Sequence, residues 1–363
     1  MATALSSGKM IELATRASHH RILALVTVLV SLSLSFLGIE VLLRLLSRPP
    51  TFPRQHYVRD PYLPYKPKPL GVTSGPPPSG GAPQEYRHNS FGFRDVEHAP
   101  EKGEHVFRIL GLGDSFTYGS GATFEETYLY RLEAMLNGRR GEHPHVEIIK
   151  AGIPRYYPEP ERILLENYGW RYSPDLILVG FLPNDVIDTY FGLNAVTLDS
   201  EGYLISREAA ELGPVAEWLY KKSYVARMAL RRYTDYRSAK RYQPHDEDVF
   251  RENGFHEKDW RKVESEFAKM AAIAMRLHSR LVLVYIPQQG PWGEEQDYPG
   301  RRLSAWASRN GVGAVDVLPG MMRAASATRQ PLYYKNDGHC TPAGYAVVAQ
   351  EIFDYLTTND LVP

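Results

Sequence analysis

The chain has 363 residues, 42 Lys and Arg against 42 Asp and Glu, and 43% hydrophobic residues. Apolar content this high with no net charge excludes a disordered polyelectrolyte, and the even balance argues against the broad cationic face that nucleic-acid wrapping requires. The single cysteine, Cys340, excludes an intrachain disulfide and a thiolate metal site.

From Ile22 to Ile39 the sequence is uncharged and apolar all round, and Val41, Leu42, Leu43, Leu45 and Leu46 extend it. At about 1.5 Å per residue this run nearly crosses a hydrocarbon core of about 30 Å. It predicts one uncleaved membrane span over 22–46, after a tail at 1–21. A secretory signal is the competing reading, but its apolar region is shorter and no small-x-small cleavage site follows here. Glu40 and Arg44 are spaced to pair on one helical face and to snorkel toward headgroups. Basic residues flank both ends (Lys9, Arg16, Arg21; Arg44, Arg48, Arg54, Arg59), so charge leaves the orientation open. Eleven prolines then fall between Pro49 and Pro83, including Pro76, Pro77 and Pro78, and predict an extended stalk over 47–104.

Beyond it, short β-rich runs alternate with helical stretches. The runs at 106–113, 146–152, 175–181, 280–287 and 313–318 are continuously apolar, the pattern of parallel strands covered on both faces. Thr123 and Glu126 have capping-box spacing before a helix ending near Gly138, and further helices are expected at 159–172, 258–278, 299–310 and 342–357. The expectation is a three-layer α/β domain at 105–358, interrupted by an insertion at about 186–257. A helix around 215–240 in that insertion mixes Trp218, Tyr220, Tyr224, Tyr233 and Tyr236 with Lys221, Lys222, Arg227, Arg231 and Arg232. A solvated amphipathic helix is the simpler account of it, and a lid touching substrate or membrane the sharper one.

Ligands of open α/β sheets bind beyond the carboxyl ends of the strands, so those ends hold the candidate site. The first strand ends in Gly113-Asp114-Ser115, where Gly113 permits a sharp exit and Ser115 stands at a helix start with its own N–H free to donate. Alone, Ser115 is weak evidence and reads better as a standard helix cap. It is not the G-x-S-x-G elbow, because Thr117 occupies the second glycine position. The second strand ends in Ala151-Gly152, where a glycine lets its N–H approach a ligand. The third leads to Asn184-Asp185, where the Asn184 amide could donate to a developing oxyanion or form an Asx turn. Asp337-Gly338-His339 precedes the last helix, and a carboxylate two residues from an imidazole can hold its tautomer while the other nitrogen faces a serine. Four ambiguous features at one sheet edge together supply nucleophile, base, orienting acid and oxyanion donors.

In this ordered set the chain resembles the SGNH hydrolase superfamily, the GDSL-type esterases and lipases. The resemblance spans about 105–357. It implies a flavodoxin-like α/β/α sandwich with five parallel strands, GDSFTYG carrying the nucleophile Ser115, Gly152 and Asn184 in the second and third blocks, and Asp337 with His339 in the last. The upstream Asn89-Ser90-Phe91-Gly92-Phe93-Arg94 is similar to a stretch preceding this domain in membrane-anchored members, and is expected to be a structural lead-in. Leu182 stands where the third block often has Gly, and Lys150 and Arg155 replace an Asn and a Gly flanking the second. Cys340 beside His339 is expected to be a small packed residue, not a second nucleophile.

The expected chemistry is ester hydrolysis through an acyl-enzyme, with catalytic Ser115, His339 and Asp337, an oxyanion hole of the Ser115 and Gly152 N–H groups and the Asn184 side chain, and loop support from Gly113, Asp114 and Asp185. The expected substrate is a short-chain acyl or O-acetyl ester, with acylated carbohydrate of the cell envelope or exported polysaccharide in view. No cofactor, metal or nucleic acid is expected, since His19, His20 and the His245–Asp248 cluster lack a ligand set. Two alternatives stand beside this reading. One is an O-acyltransferase that passes the same acyl group to a glycan, and the other a catalytically silent glycan-binding or assembly protein. The resemblance also implies an extracytoplasmic catalytic domain on a bacterial envelope anchor.

Overall fold

The computed structural model describes residues 2–46, 56–75, 83–193, 196–198, 202–206, 211–242, 246–290, 292–293, 297–327, 329–335 and 337–363. The prolines at 76–78, the basic residues Arg48 and Arg54, and His245 lie outside them. The chain divides into two compact units, one of residues 1–49 with 208–238 and one of 50–207 with 239–363.

The larger unit is built on five parallel strands: β5 (Val106–Gly113), β6 (His145–Gly152), β7 (Leu176–Phe181), β10 (Arg280–Tyr285) and β11 (Gly313–Asp316). Their order is β11–β10–β7–β5–β6. The register runs Ile109 to Leu176 on one side of β5 and Gly113 to Gly152 on the other. Successive β5 residues point to opposite faces, which is why an unbroken apolar run is needed. Leu110 and Leu112 pack with α4 (Pro158–Asn167), α8 (Glu257–Arg276) and α9 (Tyr298–Arg309). Ile109 packs with α3 (Tyr128–Asn137), α10 (Leu318–Ala327) and α11 (Pro342–Thr358). The result is an α/β/α sandwich of flavodoxin-like strand order. The order reverses between β5 and β7, which opens a crevice beyond their carboxyl ends.

Several expectations shift in detail. The Thr123–Glu126 capping box is present, but it caps a 3₁₀ turn at Phe124–Glu126, and α3 begins only at Tyr128. The helix expected over 159–172 ends at Asn167 and continues as a 3₁₀ turn. The described part of the expected stalk is folded into two antiparallel hairpins. These are β1 (Tyr57–Val58) with β2 (Lys66–Pro67), and β3 (Val72–Gly75) with β4 (Gln84–Arg87); a further antiparallel pair, β8 (Val196–Leu198) with β9 (Leu204–Ser206), lies in the expected insertion. Tyr57, Leu63 and Tyr65 are buried there, and the Tyr65 hydroxyl donates to the Pro154 carbonyl at 3.0 Å. Aromatic side chains interleaved with the prolines supply burial that a free spacer would lack.

The smaller unit holds α1 (Ala2–Leu46), so the expected tail is helical and continuous with the apolar run. It also holds α6 (Gly213–Lys222) and, up to Ser238, α7 (Tyr224–Tyr242). The single helix expected around 215–240 is therefore two, broken at Ser223, and they group with α1. The cause is a charge inside the apolar helix. Glu40 is buried and accepts hydrogen bonds from the Ser223 hydroxyl at 2.9 Å and from the Tyr224 and Val225 N–H groups at 2.9 and 3.0 Å. Arg44 pairs with Glu40 at 2.9 Å and donates to the Lys222 carbonyl at 2.8 Å. Glu40 does not snorkel; it caps α7.

Candidate active site

Gly113 ends β5 at φ +151°, and a Cβ there would lie 2.0 Å from Thr117 Oγ1. Only glycine lets the chain fold straight back into the short helix α2 (Ser115–Tyr118). The Asp114 carboxylate caps that helix by accepting the Phe116 N–H at 2.8 Å. Ser115 is its first residue, where a backbone N–H has no acceptor within the helix.

The loop after Ser115 is held from outside. Arg94 donates to the carbonyls of Tyr118, Gly119 and Ala122 at 3.3, 2.7 and 2.8 Å, and its guanidinium stacks 4.1 Å from the Tyr86 ring centroid. Tyr345 and Tyr334 hydroxyls donate to the Ser120 and Gly121 carbonyls at 3.0 and 2.7 Å. The lead-in itself is locked by Asn89, whose Oδ1 accepts from the N–H groups of Phe91, Gly92 and Phe93. The segment expected to be a lead-in thus directly braces α2.

The last loop is folded by Asp337 and Gly338 N–H groups donating to the Tyr334 carbonyl at 3.1 and 2.8 Å, with Gly338 at φ +84°. This turn presents Asp337 and His339 together. His339 Nδ1 bonds Asp337 Oδ1, and His339 Nε2 lies 2.8 Å from Ser115 Oγ. With the Nδ1 proton directed to the carboxylate, Nε2 is left to accept the serine proton. The Phe116 ring packs against the imidazole at 4.9 Å between centroids.

Gly152 ends β6 opposite Gly113. A Cβ there would sit 2.3 Å from the Tyr118 nitrogen, so this glycine also lets α2 lie against the strand. Asn184 is the second residue of α5 (Pro183–Phe191). Its amide donates to Asp188 at 3.4 Å and toward Asp114, and its carbonyl oxygen accepts from Gln288 at 3.3 Å. Leu182 is buried at φ −124°, an extended backbone any residue adopts, so glycine is not needed at that position. Lys150 is occupied by Glu133, Asp95 and the Ile148 carbonyl at 2.7, 3.3 and 2.9 Å. Burial pushes the Cys340 thiol up, the reverse of what a thiolate nucleophile needs.

Beside Ser115 lies a set of buried carboxylates, of which the sequence marked Asp114 and Asp185 but not Glu161 or Asp188. Burial pushes Asp114 up, opposed by the Phe116 N–H, the charge of His339 and the Asn184 amide. Glu161 is raised well above the carboxylate range by burial and by the charge of Asp114, and neither of its oxygens has a hydrogen-bond partner. Asp185 is raised the same way, although its Oδ2 accepts the Leu182 N–H at 3.0 Å. Burial also pushes Asp188 up to about 6, against the pull of Arg155. Gln288 was within reach of the strand-end rule, because it follows β10; Glu161 and Arg94 carry no such mark.

No family model matches the sequence, and no curated protein matches it. Solved structures with a similar fold include a protein described as a lipolytic member of the G-D-S-L family from Desulfitobacterium hafniense. It is 12% identical, with 69% of this chain and 99% of that chain covered, at a TM-score of 0.40. TesA is 12% identical over 69% and 98% at 0.41, and the Geobacillus stearothermophilus acetylxylan esterase Axe2, in a catalytic mutant, 12% identical over 69% and 94% at 0.42. At such scores, function has to be read from side-chain geometry.

Proposed function

We propose that this protein is a serine esterase of the SGNH type that cleaves short-chain acyl or O-acetyl esters through a covalent acyl-enzyme. One observation carries the reading: Ser115 Oγ stands 2.8 Å from His339 Nε2, while the other ring nitrogen bonds Asp337. A hydroxyl bonded to an imidazole that a carboxylate orients is an arrangement that a helix cap or a surface turn does not need.

His339 takes the Ser115 proton as Oγ attacks the ester carbonyl, and Asp337 orients the ring and stabilises the imidazolium. His339 then gives the proton to the leaving alkoxide. Water, deprotonated by the same imidazole, attacks the acyl-enzyme and frees Ser115. The negative charge on the tetrahedral oxygen is received by the N–H groups of Ser115 and Gly152 and by the Asn184 side chain, each such donor contributing about 2.7 to 4 kcal/mol. Asp114, Asp185 and Gly113 keep the loops in place. A carboxylate beside the oxyanion would oppose its charge, and burial raises the proton affinity of the nearby Asp185.

Among the described residues one helix, His20–Leu46 with mean hydropathy 2.5, is long and apolar enough to cross a membrane. That helix supports a single-pass anchor, and the resemblance to membrane-attached members supports an extracytoplasmic enzyme acting on acylated carbohydrate.

The test is a panel of short and long acyl esters and acetylated oligosaccharides, with Ser115→Ala as the blank and with free acetate and acetylated acceptor both measured. Release of acetate from short esters, absent in Ser115→Ala, is the expected outcome. Transfer to a saturating glycan acceptor without free acetate would replace hydrolysis by acyl transfer.

A further inference from the structure

Residues 213–242, which form α6 and α7, carry eight basic side chains against two acidic ones. Their exposed faces are aromatic as well as cationic. On α6, Val215, Trp218 and Leu219 recur at helical spacing and are 72%, 58% and 37% exposed, and the exposed Lys222 continues the stripe. On α7, Met228, Tyr233 and Tyr236 are exposed beside the exposed Arg231 and Arg232. A solvated helix does not turn a valine, a tryptophan and a leucine outward on one face. Tryptophan and tyrosine alternating with Lys and Arg is instead the composition of a helix lying in a membrane interface.

Glu40 fixes where these two helices meet. It lies 18 residues beyond Ile22, roughly 27 Å along α1. Against a hydrocarbon core of about 30 Å it therefore stands close to the far boundary. The Ser223 hydroxyl and the first N–H groups of α7 close on its carboxylate, and Arg44 holds the end of α6 through the Lys222 carbonyl. Both helices thus depart from the depth at which acyl chains give way to headgroups. The start of α7 is already satisfied by Glu40, so attraction for anions comes from the exposed cations.

We infer that α6 and α7 form an interfacial membrane-binding element. Val215, Trp218 and Leu219 enter the boundary of the bilayer, while Lys222, Arg231 and Arg232 meet the phosphates of anionic phospholipids. The inference rests on reading α1 as a membrane span and goes beyond it, because the anchor becomes a three-helix device whose lipid contact depends on residues nearly two hundred positions away in sequence.

The experiment uses the full-length protein in vesicles of phosphatidylcholine brominated near the carbonyl end of the acyl chains, with and without phosphatidylglycerol. Alkaline carbonate extraction is run in parallel. Wild type should resist extraction, its tryptophan emission should be quenched, and Trp218→Phe should lose that quenched component. Phosphatidylglycerol should deepen the quenching in wild type and not in an Arg231→Glu, Arg232→Glu double variant. Carbonate-resistant protein whose quenching is the same with and without Trp218 would overturn the inference and leave the anchor standing. Wild type released by carbonate would overturn the anchor and the inference with it. Quenching through Trp218 that is indifferent to phosphatidylglycerol would overturn the role given to the cations.

Discussion

Asp337 and Glu161 are carboxylates of the same unit in opposite circumstances. Asp337 is partly exposed on a loop and faces the imidazole of His339. Glu161 is buried in the first turns of α4, without a partner for either oxygen, and feels the charge of Asp114. A carboxylate works in catalysis through what it is bonded to, and a strongly raised proton affinity deep in a fold marks desolvation before it marks chemistry.

The contrast is broken most severely at the loop. Asp337→Asn should lower kcat by about 10⁴-fold, because the wrong tautomer of His339 is then held. Glu161→Gln should leave turnover of a short acyl ester near the wild-type rate. Equal losses in both would erase the distinction. Asn184→Ala should lower kcat by roughly a hundredfold or more with little change in KM, the signature of a donor that acts in the transition state. Arg94→Ala should cost about 3 kcal/mol in denaturant unfolding, since it removes a buried guanidinium that donates to three carbonyls.

A pH-dependent effect on stability sharpens the comparison. A carboxylate whose folded proton affinity is raised binds its proton in the native state while the unfolded chain has released it, so its contribution to stability falls as pH rises. For Asp188 the fall spans pH 3.8 to about 6 and is worth about 3 kcal/mol. For Glu161 it begins near 4.5 and runs upward. Unfolding measured from pH 4 to 9 should therefore show Glu161→Gln and Asp188→Asn gaining on wild type as pH rises. Parallel curves for wild type and variants would contradict the burial argument.

The sheet was legible because parallel strands buried on both faces need unbroken apolar runs, and the runs at 106–113 and 280–287 match strands at Val106–Gly113 and Arg280–Tyr285. Ser115, Asn184 and the Asp337–His339 pair were legible as candidates because each follows a strand or precedes a helix at one edge. What binds the pieces together was not. The break at Ser223 depends on Glu40, 183 residues away, and Arg94 gains its meaning from carbonyls 24 to 28 residues later. The folded part of the proline-rich stretch escaped notice because composition favoured the prolines over Tyr57 and Tyr65, whose burial depends on the sheet unit.

The central claim is that Ser115 is a nucleophile activated by His339. Intact-mass measurement of the folded full-length protein after reaction with a fluorophosphonate tests it directly. One adduct on wild type that maps to Ser115, and that is lost in both Ser115→Ala and His339→Ala, is the predicted result. Folded wild type that stays unlabelled, or labels equally without Ser115, would contradict it.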